Sequence, residues 1–92
     1  MPNNSATLTV TPSNPTVGQI VSFSGCGYVP NQSLLISVHT TKITNIISGF
    51  TTDAEGCFAS GEVWAAPVAG RYTAYADQGN DARGKAVFEV AT

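Results

Sequence analysis

The sequence predicts an all-β, immunoglobulin-like sandwich of about seven antiparallel strands in two sheets, and two observations carry this prediction. Short segments in which apolar and polar residues alternate recur at intervals of roughly ten residues, each bounded by Gly, Pro, Asn or Asp. No segment keeps the apolar spacing of an amphipathic helix over several turns. The pattern therefore favours strands that each bury one face in a common core.

The first half of the chain predicts strands A, B and C and a short edge strand, over residues 6–11, 17–25, 33–40 and 43–48. In strands A to C every second residue is apolar, and these residues are expected to face the core: Leu8, Val10, Val21, Phe23, Leu34, Ile36 and Val38. Pro15 separates A from B because proline has no N–H for a strand ladder.

The second half predicts strands E, F and G, over residues 57–64, 70–77 and 84–91. Their expected core residues follow the same alternation: Phe58, Trp64, Tyr72, Ala74, Ala76, Ala86, Phe88 and Val90. Gly56 ends the turn before E, where a positive φ is accessible to glycine. Tyr72 stands at the start of F, where we expect its hydroxyl to bond to nearby backbone as in a tyrosine corner.

Length and composition exclude several classes of protein. The chain has 92 residues, 42% of them hydrophobic, which suits one small domain over residues 6–92. Only 11% are charged, against roughly 25% in an average soluble domain. Four Lys and Arg with a net charge of −2 leave no basic face for nucleic acid. No apolar run approaches the ~20 residues of a membrane helix.

Residues 1–5 are expected to form a flexible N-terminal arm. They are polar and uncharged, so they should hold no structure of their own and order only on binding. They also lack the basic and apolar stretches of a signal peptide. We expect either a protein that is not exported by that route or one whose export signal is not part of this sequence.

Three segments resemble bacterial and phage immunoglobulin-like domains. Residues 10–30 contain VTPSNPTVG followed by VSFSGCGYVP, residues 52–58 read TDAEGCF, and residues 67–73 read PVAGRYT. The resemblance runs in the same order along nearly the whole chain, and it implies the sandwich fold. It departs from the family pattern at Cys26, Cys57 and Glu62. Modules of this family serve as spacers, adhesins and virion decorations, so the resemblance leaves the function open.

Cys26 and Cys57 are the two cysteines of the chain. In such a sandwich, strands B and E are antiparallel neighbours, so the end of B lies beside the start of E. Alternation from Phe23 and Phe58 directs both thiols away from the core. We therefore predict a cross-strand disulfide, which implies a working life outside the cytoplasm. The alternative is two free thiols in a cytosolic protein.

No constellation of residues indicates catalysis, and we expect no enzymatic activity, no bound metal and no cofactor. His39 is the single histidine and is expected on the outer face of strand C, without an identifiable catalytic partner. Asp77 and Asp81 flank a turn, as do Asp53 and Glu55, but neither pair has the ligand density of a calcium loop. Acidic residues in turns more often bond to the local backbone.

The outer face of strands C, F and G is the candidate interaction surface. Leu35, Tyr75 and Val87 are out of phase with the core residues of their own strands, so they could form one exposed apolar patch. They could equally be scattered surface residues. Ile43, Ile46 and Ile47 either extend the patch or fill the core. The face of A, B and E is expected to be small and polar, with Ser22, Ser24, Ala59 and Gly61.

Our leading functional hypothesis is a non-enzymatic virion structural protein that decorates a phage capsid or tail. Its partners would be capsid or tail proteins and sister subunits, and its location the virion surface. The alternative is an immunoglobulin-like spacer or adhesion module of a secreted bacterial surface protein, located outside the cell, with a cell-surface glycan as a further candidate partner. A small-ligand carrier similar to the antibiotic-binding chromoproteins is disfavoured, because the cysteine pattern differs and the chain is shorter.

Overall fold

The part of the chain that the structure describes forms a β-sandwich of seven strands in two antiparallel sheets, as the sequence predicts. The computed structural model describes residues 6–79 and 82–92, so the predicted arm over residues 1–5 lies outside the described residues. The strands are β1 (Thr9–Thr11), β2 (Ile20–Gly25), β3 (Ser33–His39), β4 (Thr44–Thr51), β5 (Phe58–Ala65), β6 (Gly70–Asp77) and β7 (Arg83–Val90). Within the described ranges, no helix is long and apolar enough to cross a membrane.

One sheet has the order β1-β2-β5 and the other the order β4-β3-β6-β7. The edge strand predicted near residues 43–48 is β4, which continues to Thr51 and pairs with β3. Its register shifts between Leu34 and Ile36 of β3, where β4 accommodates an extra residue at a bulge. Gly49 lies in this bulge with a φ of 101°, a conformation that glycine adopts without strain. The bulge breaks the period-two pattern, so sequence alternation alone underestimates the length of β4.

The core lies between the two sheets, and its aromatic centre is built on β6, β7 and β5. The rings of Tyr72 and Phe88 are stacked with their centroids 5.6 Å apart, and the half-buried Trp64 meets Tyr72 edge-on at 5.4 Å. The Tyr72 hydroxyl donates a hydrogen bond to the Val68 carbonyl oxygen at 2.7 Å. This is the tyrosine-corner bond expected from the sequence. Of the predicted core residues, Trp64 and Ala86 are half-buried and pack against the core, and the others are buried as expected.

β5 keeps Phe58 and Trp64 on the core side although the residues between them do not alternate. Two register shifts interrupt its pairing with β2, and each adds a residue to β5. At this irregular stretch the Ser60 hydroxyl oxygen accepts a hydrogen bond from the Phe23 backbone N–H at 2.8 Å. A side chain thus satisfies a buried donor whose ladder partner is displaced.

The β2–β3, β4–β5 and β6–β7 loops meet at one end of the sandwich, which we call the bridged end. Gln78, 6% exposed, accepts a hydrogen bond from the Val29 N–H at 2.8 Å and donates one to the Val29 carbonyl at 3.0 Å. The buried Thr52 hydroxyl donates to the same carbonyl at 2.6 Å and accepts from the Gln32 N–H at 3.1 Å. Two buried polar side chains therefore join the three loops.

Tyr28 joins the N-terminal segment to the bridged end. Its hydroxyl donates a hydrogen bond to the Thr7 carbonyl oxygen at 2.6 Å, and burial raises its pKa to about 12. Gly84 leaves room for this hydroxyl, since a Cβ atom at that position would collide with it. The Thr7 N–H also donates to the Cys26 carbonyl at 2.8 Å.

The two ends of the described chain lie at opposite ends of the sandwich's strands. Thr7 is held at the bridged end, whereas Ala91 exchanges backbone hydrogen bonds with Pro15 and Val17 at the other end. The domain measures 38 × 22 × 19 Å along its principal axes.

Asp53 stabilises the β4–β5 turn in its charged form, which predicts a specific loss of stability in acid. Its Oδ1 accepts hydrogen bonds from the Cys57 and Glu55 N–H groups, each at 2.9 Å, and these hold its pKa below the ordinary 3.8. The stabilisation that comes from a lowered carboxyl pKa is fully present above pH 3.8, the ordinary pKa, and it declines as the pH falls through the folded-state pKa.

Asp53→Asn keeps an acceptor oxygen but cannot titrate, so its stability should decline less steeply than that of the wild type below pH 3.8. Urea unfolding followed at several pH values between neutrality and strong acid measures this slope. Glu62→Gln, which removes an exposed carboxylate outside the turn, is the matched control and should leave the acid profile unchanged. Coincident profiles for Asp53→Asn and the wild type would contradict the assignment.

Candidate docking surface

Cys26 and Cys57 form a disulfide, as predicted from their positions. The bridge joins the residue after β2 to the residue before β5, across a sequence separation of 31. Cys26 is exposed and Cys57 half-buried, on the outside of the three-stranded sheet's bridged end. The β4–β5 turn, which the Asp53 carboxylate stabilises, ends at Cys57 and so contains one of the two bridged cysteines.

Leu35, Tyr75 and Val87 share the outer face of the four-stranded sheet. The register places Leu35 opposite Asp77, Tyr75 opposite Ser37, and Val87 opposite Thr73. The three side chains thus occupy three successive cross-strand rows and run diagonally over the face. Leu35 is 39% exposed, Val87 is 54% exposed, and Tyr75 is half-buried.

Tyr75 lies at the centre of an aromatic and cationic cluster. The Arg83 guanidinium carbon is 4.1 Å from the Tyr75 ring centroid, which is a cation–π contact. The His39 ring meets the Tyr75 ring edge-on with centroids 5.7 Å apart, and His39 Nδ1 lies 3.3 Å from the Thr44 hydroxyl oxygen. Arg83 Nε lies 3.8 Å from Asp77 Oδ2. The outer face of the four-stranded sheet therefore has an aromatic and cationic centre with apolar side chains around it, and we call this face the candidate docking surface.

The sequence left open whether three isoleucines extend the apolar patch or fill the core, and the structure gives a separate answer for each. Ile46 lies on the outer face opposite Ser37 and is 67% exposed, so it extends the candidate docking surface to the edge of the sheet. Ile47 points inward and packs against the core. Ile43 is half-buried in the β3–β4 hairpin.

Charge is distributed unevenly between the two sheets. All four Lys and Arg residues lie on the four-stranded sheet or its β3–β4 hairpin: Lys42, Arg71, Arg83 and Lys85. Arg71 Nε is 2.8 Å from Glu89 Oε1 in an exposed ion pair, and Lys85 lies opposite Tyr75 with no ion pair to any described residue. Glu62 lies on the other sheet. The cationic side chains of the domain are thus concentrated around the candidate docking surface.

The remaining predicted polar residues form no cluster suited to chemistry. In residues 6–79 and 82–92, no group of three or more His, Cys, Asp or Glu is placed to hold a metal ion. Asp77 Oδ1 is buried without a hydrogen-bond partner among these residues, beside an open groove of about 430 Å³ that Leu35, Phe50 and Gln78 also line. Asp81 lies outside the described residues.

The outer face of the three-stranded sheet is less polar than predicted. Ser22 and Ser24 lie there, but Ile20 is 51% exposed and Val63 is 38% exposed. Ile20 precedes the clear alternation of β2, and Val63 lies at a register shift of β5, so the pattern used for prediction missed both. Exposed apolar side chains therefore occur on both faces, and among the described residues the four-stranded face alone also presents an aromatic ring stacked on an arginine.

The fold and this surface together define a class of protein, a disulfide-bridged all-β sandwich domain with one amphipathic sheet face. No protein-family model matches the chain, and no curated protein or solved structure shows significant similarity to it.

Proposed function

We propose that this chain is a non-enzymatic, immunoglobulin-like structural module that binds another protein through the outer face of its four-stranded sheet. Its proposed place is the surface of a virion, as a decoration or accessory protein on a phage capsid or tail. The tyrosine-corner bond from Tyr72 to Val68 supports the immunoglobulin-like assignment, since that bond is a hallmark of such sandwiches. The observation that carries the binding proposal is the Tyr75–Arg83 cluster beside exposed apolar side chains.

Tyrosine and arginine are the residue types that interface cores favour, and they contribute a large share of binding free energy when a partner excludes water from them. Here Arg83 is already stacked on Tyr75 and lies beside Asp77, so its side chain loses little conformational freedom on binding. Leu35 and Val87 on either side supply the apolar area that a partner would cover.

The disulfide and the low charge support a virion surface in particular. A disulfide persists in an oxidising environment, and a phage protein made in the host cytoplasm reaches such an environment on lysis. With 11% charged residues, closely packed copies would repel one another weakly. Both properties suit a small module that repeats at high density on a particle.

Tyr75→Ala is expected to lower the occupancy of this protein on its particle at least tenfold, while the domain stays folded. A central aromatic residue of an interface typically contributes about 2 kcal/mol or more, which exceeds a tenfold change in affinity. Purified protein is added, at concentrations below saturation where occupancy is proportional to affinity, to virions of the phage that encodes it, and quantitative mass spectrometry measures the occupancy. Thermal denaturation of the variant checks its fold.

Val63→Ala is the matched control, because it truncates an exposed side chain on the opposite sheet and should leave occupancy unchanged. A folded Tyr75→Ala variant with full occupancy would overturn the assignment of the surface. If the chain does not occur in virions at all, the particle proposal fails whatever the surface does.

A spacer or adhesion module of a secreted bacterial surface protein is the second candidate, and the positions of the chain ends favour it. Thr7 and Ala91 lie at opposite ends of the sandwich's strands, so successive modules could follow one another in a row. A coding frame with repeats of this module would support the spacer, whereas a frame among capsid genes would support the virion protein. Binding to a panel of cell-surface glycans tests the adhesion variant of this proposal.

A further inference from the structure

β4 is an edge strand of the four-stranded sheet that lacks charged residues. It reads TNIISGFT, without charge and without proline, and it is eight residues long. Soluble proteins protect exposed edges with charge, proline, bulges or short length, because an open edge pairs readily with another strand. The bulge at Gly49 interrupts the second half of β4, but the first half, from Thr44 to Ile47, pairs with β3 in unbroken register.

The other three edges of the described sandwich have such protection. β1 is three residues long and is followed by Pro12. β5 contains two register shifts and Glu62. β7 carries three charged side chains, Arg83, Lys85 and Glu89. Among these edges, β4 alone combines full strand length with an uncharged segment in unbroken register.

The backbone of β4 offers hydrogen-bonding groups at this edge. The Thr40 N–H donates to the Ile43 carbonyl at 2.9 Å, which makes these two residues a hydrogen-bonded pair of the β3–β4 ladder. Because hydrogen-bonded and non-hydrogen-bonded pairs alternate in an antiparallel ladder, Asn45 and Ile47 bond to β3. Thr44 and Ile46 therefore direct their N–H and C=O groups away from the sheet, off its edge.

We propose that β4 pairs antiparallel with β4 of a second copy of this chain, so that the two four-stranded sheets become one continuous sheet. Thr44 of each copy would lie opposite Ile46 of the other, exchanging reciprocal backbone hydrogen bonds. The 67% exposed Ile46 side chain would then pack on the β-branched Thr44 across the strands.

A second copy fits this edge because of its charge pattern. β4 has no charge along its length, so self-pairing brings no like charges into opposition. Lys42, the nearest cation, would lie opposite Ser48 of the other copy, far from its own equivalent. The contact covers one strand segment and Ile46, so its area is at the low end of specific interfaces and the association should be weak.

Self-pairing would also join the docking surfaces of two copies on one sheet face. Two Tyr75 clusters facing the same way can bind a repetitive partner together, which raises the apparent affinity through effective concentration. The pairing rests on β4 alone and not on the proposed particle, so the two proposals fail in different experiments.

Sedimentation equilibrium of the purified disulfide-bonded protein tests the pairing, from about 10 μM to about 1 mM, the range of weak complexes. The mean mass should rise with concentration from 9.5 kDa towards twice that value. Ile46→Lys places cations at the contact and should weaken the association at least tenfold. Ile46→Pro should also weaken the association, because proline lacks the N–H that points off the edge. The Ile46 N–H makes no hydrogen bond to β3, so the β3–β4 pairing keeps all of its bonds.

Ile20→Lys is the matched control, since Ile20 is 51% exposed on the other sheet, and it should leave the association unchanged. Amide hydrogen exchange of the wild type gives a readout that needs no variant to fold, because protection of the Thr44 and Ile46 amides should increase with concentration. A wild type that stays monomeric up to 1 mM, or a dimer as strong in Ile46→Lys as in the wild type, would overturn the proposal. Concentration-independent exchange at both amides would do so as well.

Discussion

Removal of the Cys26–Cys57 bridge is expected to lower the free energy of unfolding by about 3–4 kcal/mol. The bridge closes a loop with a sequence separation of 31, and its main effect is to restrict the unfolded chain. For a domain of this size the loss corresponds to a fall in the melting temperature of roughly 12–30 °C. Circular dichroism melts of the double variant Cys26→Ser, Cys57→Ser, and of the wild type with and without reductant, measure it.

The native fold should survive this change, because other contacts hold the same two segments together. The Tyr28 N–H donates to the Gly56 carbonyl at 3.1 Å, and Gly25 lies opposite Phe58 in the β2–β5 ladder. Reductant should have no effect on the double variant, which is the control for its specificity. A loss below about 1 kcal/mol would contradict the loop-entropy explanation.

Alternation and turn residues made most of the strands predictable, because each strand buries one face and every second residue reports it. Val21 and Phe23 on β2, and Ile36 and Val38 on β3, are fully buried as expected. The pattern became unreliable where the backbone departs from period two. β4 extends beyond its predicted end because a bulge at Gly49 shifts the phase of the residues that follow.

The geometry of the candidate docking surface was predictable only in part. Alternation places Leu35, Tyr75 and Val87 on one face once the order of the strands is assumed. The contacts of Tyr75 with His39 and Arg83 were missed, because they run diagonally between strands and depend on register.

Ile46 and Ile47 show a related limit of the sequence pattern. Adjacent apolar residues on an edge strand leave its phase undefined, because either of them could face the core. The pairing of Ser37 with Ile46 settles the phase and leaves Ile46 exposed. Register is a property of tertiary packing, so it is not visible in the local sequence.

The low charge of the chain acquires a more specific meaning from the structure. The few cations are concentrated on one sheet, while β4 at the edge of that sheet has no charge at all. A charge-poor surface is therefore not uniform: its aromatic and cationic centre suits a foreign partner, and its neutral edge suits a second copy. The two proposed contacts use neighbouring parts of one sheet and can form at the same time.

Tyr72→Ala is expected to destabilise the domain by about 3–5 kcal/mol, the cost of removing a large aromatic side chain from a packed core. Tyr72 is fully buried and contacts both Phe88, at 5.6 Å between centroids, and Trp64, at 5.4 Å. Its loss would leave a cavity at the junction of β5, β6 and β7. Since small domains have total stabilities of about 5–15 kcal/mol, urea unfolding should show a variant near the limit of folding.

Tyr72→Phe separates the ring from the hydroxyl and serves as the matched control. It keeps both aromatic contacts and removes only the 2.7 Å hydrogen bond to the Val68 carbonyl. Val68 is 46% exposed, so water can replace the lost donor, and the expected cost is about 1 kcal/mol. Equal losses for the two variants would show that the corner hydrogen bond, and not the packed ring, holds β6 in place. A much larger loss for Tyr72→Ala would assign that role to the aromatic cluster.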